Sequence, residues 1–240
     1  MTDNIEEILA QYPKKRISLS PELEKIYKKI YSENRKGVGL ANKISSYLES
    51  WMHKKIENRV NNINISKSLE IGAGTLNHLD YVNTLEHYDV IEPAKWLYKD
   101  TKSEKFVKNF YSDIFEISIK QKYDRILSIA TLEHVLDLPK LIEQSKQLLN
   151  KGGLFQAAIP CEGEFAWYCG WKFGTGVAFW LKHGLNYEEL MKFEHVNNLN
   201  EISKIIKYYF KNIKILRSPL PFLIKKKHTS FYAYIEAVKN

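Results

Sequence analysis

Residues 69–75 have the sequence LEIGAGT, and they constrain the fold of this chain more than any other stretch. A short apolar run ends there in a turn with Gly72 and Gly74, and a second apolar run ends at Glu92, eighteen residues after Gly74. Glycines allow the backbone to turn tightly and to approach a ligand, while a carboxylate after the next strand accepts hydrogen bonds from ribose hydroxyls. The pattern predicts a parallel α/β sheet that binds a nucleoside at the carboxyl ends of its strands.

The sequence after residue 66 continues this alternation of strands and helices. Apolar runs predict strands near residues 67–71, 87–91, 106–111, 123–129 and 153–159, and two closing strands near 212–218 and 230–238. The clearest helix between them begins at Leu138, with Asp137 as its cap, and is closed near Leu149 by Gly152 and Gly153. We therefore predict an α/β fold with a Rossmann-like, seven-stranded, mostly parallel sheet whose last two strands form an antiparallel hairpin.

The chain of 240 residues is long enough for one large domain with a small addition. We predict a helical N-terminal arm or cap at residues 1–60, in which residues 1–19 form a loosely ordered arm and a first helix starts at Ser20 and Pro21. The main domain then covers residues 61–240. It carries an irregular, aromatic insert at residues 161–198, after the fifth strand.

The composition favours a packed protein of the cytoplasm. Hydrophobic residues make up 44% of the chain and aromatic residues 13%, which argues against disorder. The N-terminus is polar, and no apolar run approaches the roughly eighteen residues that span a bilayer, so we expect neither a secretory signal nor a membrane span. The formal charge of +8 comes from lysines spread along the chain, which favours a solvated surface over a nucleic-acid partner. Cys161 and Cys169 are expected to be free thiols.

Five motifs occur in an order that is typical of one enzyme family. They are EIGAG at residues 70–74, VIEP at 90–93, YSDI at 111–114, YDRILSIATLEHV at 123–135 and LLNKGG at 148–153. Together with the closing hairpin, they make the chain resemble the class I S-adenosylmethionine-dependent methyltransferases, in particular the bacterial group that methylates small molecules and sugars. The resemblance covers residues 66–240 and implies S-adenosylmethionine as the cofactor and S-adenosylhomocysteine as the product.

The resemblance also implies which residues bind the cofactor. Gly72 and Gly74 would pass beside its methionine part, and Glu92 would bind the ribose hydroxyls. Asp113 would accept a hydrogen bond from the adenine amino group, and the backbone of Ile114 would pair with a ring nitrogen. The full implied set is Glu70, Gly72, Ala73, Gly74, Glu92, Pro93, Asp113, Ile114, Ile129, Ala130 and Thr131, of which the last three would form the floor beside the sulfonium.

Three positions in or beside this set leave alternatives open. Glu92 would otherwise simply end a strand at the surface, and Asp113 would otherwise cap a helix. Leu76 stands where the family often has a third glycine. In dinucleotide enzymes that glycine allows close packing near a pyrophosphate, which S-adenosylmethionine lacks. Leu76 therefore disfavours a dehydrogenase more than a methyltransferase.

Candidate residues for the methyl acceptor lie where strands end and where the α/β pattern breaks. His195 is the first candidate catalytic residue, as a base or as a residue that positions the acceptor, and His134 is the second. A structural role is the alternative for each histidine. The candidate substrate-binding residues are Trp167, Tyr168, Trp171, Glu194 and Asn197, although the aromatic residues would also suit the core of a lid. No metal site is expected, because no spacing of Cys and His matches a zinc motif.

We therefore expect methyl transfer to a small molecule, namely a hydroxyl of a sugar, nucleotide sugar or surface-glycan precursor, because the aromatic insert indicates a closed pocket. Two alternatives stay open. An RNA acceptor would account for the charge of +8, and a non-catalytic, methyltransferase-like binding subunit would account for the missing third glycine. The oligomeric state is open.

Overall fold

The computed structural model describes residues 4–34, 42–60, 64–83, 86–170, 172, 176–217 and 230–240. Its centre is a seven-stranded sheet in the order β3-β2-β1-β4-β5-β7-β6. The strands are β1 (Lys67–Ile71), β2 (His87–Ile91), β3 (Asn109–Tyr111), β4 (Tyr123–Ile129), β5 (Leu149–Pro160), β6 (Ile213–Arg217) and β7 (Tyr232–Val238). The first five are parallel, and β7 runs antiparallel to both β5 and β6. The predicted sheet and its closing hairpin are confirmed.

The register of the parallel strands brings their carboxyl ends to one edge. Ile71 at the end of β1 is level with Ile91 at the end of β2, and Ile91 is level with Tyr111 at the end of β3. On the other side, Ile71 is level with Ser128 of β4. The residues that follow these strands therefore lie side by side, as the sequence pattern predicted.

Helices cover both faces of the sheet. They are α1 (Ile5–Leu9), α2 (Pro21–Asn34), α3 (Asn42–Asn58), α4 (Leu138–Leu148), α5 (Phe165–Gly170), α6 (Gly176–His183), α7 (Tyr187–Glu194) and α8 (Leu199–Phe210). The described part of residues 161–198 is thus mostly helical rather than irregular. Among the described helices, none combines the length and the apolar character that crossing a membrane requires.

One core lies between the sheet and helices α4 and α8. Ile202, Ile205 and Ile206 are at most 1% exposed and have the helical spacing that predicted this face. Helix α8 starts at a capping box. The Asn198 side chain accepts the Glu201 backbone amide, and the Glu201 side chain accepts the Asn198 backbone amide. This arrangement fixes the start of α8 just after the candidate site residues.

The second core lies between the sheet and α3. Met52 and Ile56 pack against Tyr88 and other residues of β2 and β4. Between β1 and β2 the chain forms a short 3₁₀ helix (Asn77–Tyr81) rather than an α-helix, and α3 contacts it. A buried ion pair of 3.0 Å between Glu57 and Arg125 ties α3 to β4. The N-terminal part of the chain therefore completes the core of the sheet.

The N-terminal residues correct one expectation. Residues 1–19 were expected to form a loose arm, but Ile8 is 2% exposed and packs in the core beside α8. Lys14 donates to the Val196 carbonyl and pairs with Glu201, both at 2.8 Å. Arg16 donates to the backbone carbonyls of Glu194 and His134, both at 3.0 Å. The described part of this segment is thus held against the edge that carries the site.

The structure also corrects local boundaries. β3 is shorter than predicted, because a 3₁₀ turn occupies Glu104–Phe106. Helix α4 ends at Leu148, and β5 begins at the next residue. Gly152 and Gly153 therefore lie within the strand and do not terminate the helix. Asp137 precedes α4, but its side chain pairs with Lys140 at 2.7 Å instead of capping the backbone. The lysine run at residues 225–227 lies outside the described residues.

Candidate active site

The turn after β1 is closed tightly against the segment that follows β4. Gly72 and Gly74 have φ angles of +74° and +53°, in the left-handed region that glycine favours. A Cβ atom on Gly72 would lie 2.3 Å from Oγ1 of Thr131, so a larger residue does not fit. The Thr131 hydroxyl donates to the Ile129 carbonyl at 3.0 Å, which holds its side chain in this position. The turn and the end of β4 therefore form one continuous surface.

Leu76 shows how the chain manages without the third glycine. Its φ angle is +63°, the conformation that a glycine would adopt most easily. The side chain is 0% exposed and packs with Ala73, Met52 and Ile56 in the core under α3. Burial of the leucine therefore offsets the cost of the left-handed backbone.

Glu92 lies at the centre of this surface and is 9% exposed. Its Oε2 accepts the Gly74 amide at 2.8 Å, and its Oε1 accepts the Ala94 amide at 2.9 Å. The alternative that Glu92 merely ends a strand at the surface is therefore wrong. Each carboxylate oxygen accepts about two hydrogen bonds, so both can still bind ribose hydroxyls.

Glu70 and Ala73, by contrast, face the interior. Glu70 is 2% exposed and accepts the Tyr88 hydroxyl at 2.8 Å. Burial raises the pKa of Glu70 to about 7. The Ala73 side chain is 3% exposed and belongs to the core under α3. These side chains support the turn from below, so the predicted contact of Glu70 and Ala73 with the cofactor stays a prediction for their backbone atoms.

The residues after β2, β3 and β4 lie along the same edge. Asp113 caps a 3₁₀ turn by accepting the Phe115 amide at 2.9 Å, so the capping alternative is confirmed. Its carboxylate is exposed, and a bond to adenine stays a prediction. The Ile114 side chain is 1% exposed, which leaves only its backbone for the cofactor. Pro93 and Ala130 are exposed at this edge, Ala130 with a φ angle of +48°.

Both candidate histidines meet in one cluster with three glutamates. The rings of His134 and His195 lie edge to face, with centroids 4.8 Å apart. His195 Nδ1 is 2.6 Å from Glu162 Oε2, and His134 Nε2 is 3.8 Å from Glu133 Oε1. His134 Nδ1 is 2.8 Å from the Glu194 carbonyl and 3.3 Å from its Oε2. The fold thus joins residues from the end of β4, the end of β5 and the end of α7.

The acidic surroundings set the charge of this cluster. Burial lowers the pKa of His195, but the hydrogen bond to Glu162 and the charges of Glu133, Glu162 and Glu194 outweigh burial and raise it above the ordinary value. Burial has the opposite effect on Glu133, a carboxylic acid that is 2% exposed, and raises its pKa. Sequence reasoning gave no role to Glu133, for which the only signal was its position next to His134.

A cavity of about 680 Å³ opens beside His195, between α5 and α7. Its lining includes the carboxylates of Glu162, Glu164 and Glu188, together with the exposed aromatic rings of Phe165 and Tyr168. The cavity therefore offers hydrogen-bond acceptors and aromatic surface, and Lys192 adds a basic group to its lining.

The predicted substrate-binding residues have different surroundings. Tyr168 lines the cavity, and Glu194 faces His134. Trp167 packs edge to face on Tyr232, with centroids 5.7 Å apart, which favours its alternative role in a lid core. Asn197 is 1% exposed and donates to the Leu132 and Val135 carbonyls at 2.9 and 2.7 Å, which gives it a structural role. It also borders the cavity, and its contact with substrate stays a prediction. Trp171 lies outside the described residues.

Comparison with known proteins agrees with the fold and the motifs. The family described as "Methyltransferase domain" matches residues 32–208, which is more than half of the chain. A search of curated proteins finds no significant match.

Solved methyltransferase structures share this fold. The plantazolicin methyltransferase BpumL, in complex with SAH, has a TM-score of 0.60 at 17% identity, over 98% of this chain and 97% of its own. A possible histamine N-methyltransferase from Thermotoga maritima has a TM-score of 0.57 at 13% identity, over 81% of this chain and 92% of its own. The CurJ carbon methyltransferase has a TM-score of 0.53 at 17% identity, over 82% of this chain and 58% of its own. With the family match and the glycine turn beside Glu92, the chain belongs to the class I S-adenosylmethionine-dependent methyltransferases.

Proposed function

We propose that this enzyme methylates a hydroxyl of a small polar molecule, in the class of sugars, nucleotide sugars and surface-glycan precursors. The observation that carries the proposal is the pair of His195 and Glu162, at 2.6 Å, beside a cavity of about 680 Å³. A hydroxyl must lose its proton as its oxygen attacks the methyl group, and an imidazole held by a carboxylate assists that loss. His195, with His134 beside it, is proposed to act at the acceptor oxygen.

The methyl transfer itself needs little from the protein, because the sulfonium is already electrophilic. The acceptor oxygen forms a bond to the methyl carbon, the bond from carbon to sulfur breaks, and its electron pair remains on sulfur. The proposed cofactor surface ends at Thr131, and His134 follows three residues later. The protein therefore contributes mainly by holding the donor and the acceptor in line and by excluding water.

The lining of the cavity favours a hydroxyl-rich acceptor. Carboxylates of Glu162, Glu164 and Glu188 accept hydrogen bonds from hydroxyl groups, and the rings of Phe165 and Tyr168 offer faces on which a sugar ring can pack. Glu162, Glu164 and Glu188 are each paired with a basic side chain, namely His195, Arg217 and Lys192. Their charge therefore does not exclude a phosphate-bearing acceptor, and an RNA acceptor, suggested by the charge of +8, stays the alternative.

The test is a methylation assay on the full chain with S-adenosylmethionine and a panel of free sugars, nucleotide sugars and tRNA. We expect a sugar-containing product with one added methyl group, found by mass spectrometry, and a rate that changes little with salt. His195→Gln should lower the rate with little change in S-adenosylhomocysteine affinity, whereas Glu143→Gln, an exposed change on α4, should do neither. Methylation of tRNA that weakens steeply with salt, with no sugar product, would refute the proposal.

A further inference from the structure

We infer that Glu133, His134 and His195 bind a divalent transition-metal ion. The inference deepens the proposed function, since it places the ion at the acceptor end of the site, but ion binding itself does not depend on the acceptor's identity. No metal site was expected from the sequence, because the Glu133–His134 pair is common and no spacing of Cys and His matches a zinc motif.

The first observation is the spacing of the ligand atoms. One ligand atom of each residue lies within 4.8 Å of those of the other two. An ion about 2.1 Å from each atom requires separations of roughly 3.0–3.5 Å, so the three side chains need to close by little more than about 1 Å. His134 and His195 remain partly exposed, with 31% and 13% of their side chains accessible, which provides a path for the ion and for a further ligand.

The second observation is a buried carboxylate with an unsatisfied oxygen. Glu133 is 2% exposed, and its Oε2 has no hydrogen-bond partner within the described parts of the chain. Oε1 of the neighbouring Glu194 is also buried without such a partner there. A buried oxygen that keeps its negative charge but makes no hydrogen bond costs several kcal/mol, and a cation compensates that cost.

The third observation is the state of the two imidazole rings. A carboxylate accepts from His195 Nδ1, and a backbone carbonyl accepts from His134 Nδ1, so both Nδ1 atoms carry hydrogen. In the neutral rings each Nε2 then has a free lone pair. This is the arrangement by which proteins orient metal-binding histidines, with a carboxylate or carbonyl behind each ring.

The ligand set indicates the class of ion. Two imidazoles and one carboxylate suit Zn²⁺, Fe²⁺, Co²⁺ or Mn²⁺, whereas Mg²⁺ prefers oxygen ligands alone. Three protein ligands leave room for the acceptor oxygen. With Nε2 of His195 bound to the ion, the ion rather than the free imidazole would assist the loss of the acceptor proton. It would lower the pKa of the acceptor hydroxyl, whose proton would pass to the carboxylate of Glu194 as the oxygen attacks the methyl carbon.

The test is a titration of the untagged full chain, stripped of metal, with Co²⁺, followed by visible absorption. We expect one saturable site per chain and displacement by Zn²⁺ but not by Mg²⁺. Glu133→Gln and His195→Gln should each lower the affinity by more than about 100-fold, and Glu162→Gln, behind the ligand, by about 10- to 100-fold. Glu143→Gln should bind like the wild type. Circular dichroism without metal checks that each variant is folded.

The results separate this inference from the proposed function. If Co²⁺ shows no saturable binding to the wild type, or if folded Glu133→Gln and His195→Gln bind it as tightly as the wild type, the metal site is refuted. Sugar methylation by the stripped enzyme in the presence of EDTA would then still support the proposed function. Saturable Co²⁺ binding without any sugar product would support the site and refute the sugar acceptor.

Discussion

Replacement of Gly72 by alanine tests whether the closed turn beside Thr131 is a steric requirement. The new Cβ would lie 2.3 Å from Thr131 Oγ1 and 2.4 Å from its Cγ2. Holding a residue other than glycine in the left-handed region costs about 1–2 kcal/mol, and pushing a packed side chain aside costs about 1–3 kcal/mol. Loss of the Thr131–Ile129 hydrogen bond adds about 1 kcal/mol. We therefore expect the free energy of unfolding to fall by roughly 3–6 kcal/mol, the sum of these costs.

Gly152 is the matched control for this change. Its φ angle is +77°, almost the same as at Gly72, but no described atom outside its own neighbours lies within 4 Å of an added Cβ. Gly152→Ala should therefore lose only the backbone part, about 1–2 kcal/mol. Urea unfolding of both variants, followed by circular dichroism, measures the difference, and calorimetry with S-adenosylhomocysteine measures the effect on the site. If Gly72→Ala loses no more stability than Gly152→Ala, the steric argument is refuted.

Three further changes follow from the contacts at the site. Glu92→Gln should weaken S-adenosylhomocysteine binding by about 10- to 150-fold, which corresponds to the loss of one charge-assisted hydrogen bond of about 1.5–3 kcal/mol. Glu70→Gln should change this affinity far less. Equal effects of the two changes in calorimetry would contradict the assignment of Glu92. Asn197→Ala should lower stability by about 1–3 kcal/mol, because it leaves buried carbonyls without donors. Unchanged stability with a raised KM for the acceptor would contradict this structural role and favour a contact with substrate. Burial lowers the pKa of His53 to about 4, and its Nδ1 lies 3.0 Å from His78 Nδ1. The folded state thus binds a proton at His53 less readily than the unfolded chain does. The free energy of unfolding should therefore decline by up to about 3 kcal/mol as the pH falls from about 6.5 to about 4. His53→Gln should reduce this dependence on pH, as measured by urea unfolding across the same range.

The sequence predicts best what local pattern controls. The strands around Leu69, Val90 and Leu127 each contain a short apolar run, so β1, β2 and β4 lie where they were expected. Glu92 follows such a run directly, and its position relative to the glycine turn is set by strand pairing. The N-terminal error was avoidable, because Ile5, Ile8 and Leu9 have the spacing of an amphipathic helix that packs on a core.

The acceptor cluster was harder to predict because its members come from distant parts of the chain. Glu133, Glu162 and His195 are brought together only when β4, β5 and α7 reach the same edge of the sheet. The structural role of Asn197 was missed for a related reason. Its partners are backbone carbonyls of Leu132 and Val135, and a sequence does not show which carbonyls need a donor.

The segment after β4 links the two halves of the site. Thr131 packs against Gly72 at the proposed cofactor floor, and the 3₁₀ turn Leu132–His134 carries Glu133 and His134 into the acceptor cluster. With a rise of about 2 Å per residue, such a turn separates Thr131 from His134 by only about 6 Å along its axis. On the proposed assignment of the cofactor floor and the acceptor cluster, this one short segment sets the distance between them. On the same assignment, we expect differences in acceptor to arise from α5 and α7, which line the cavity.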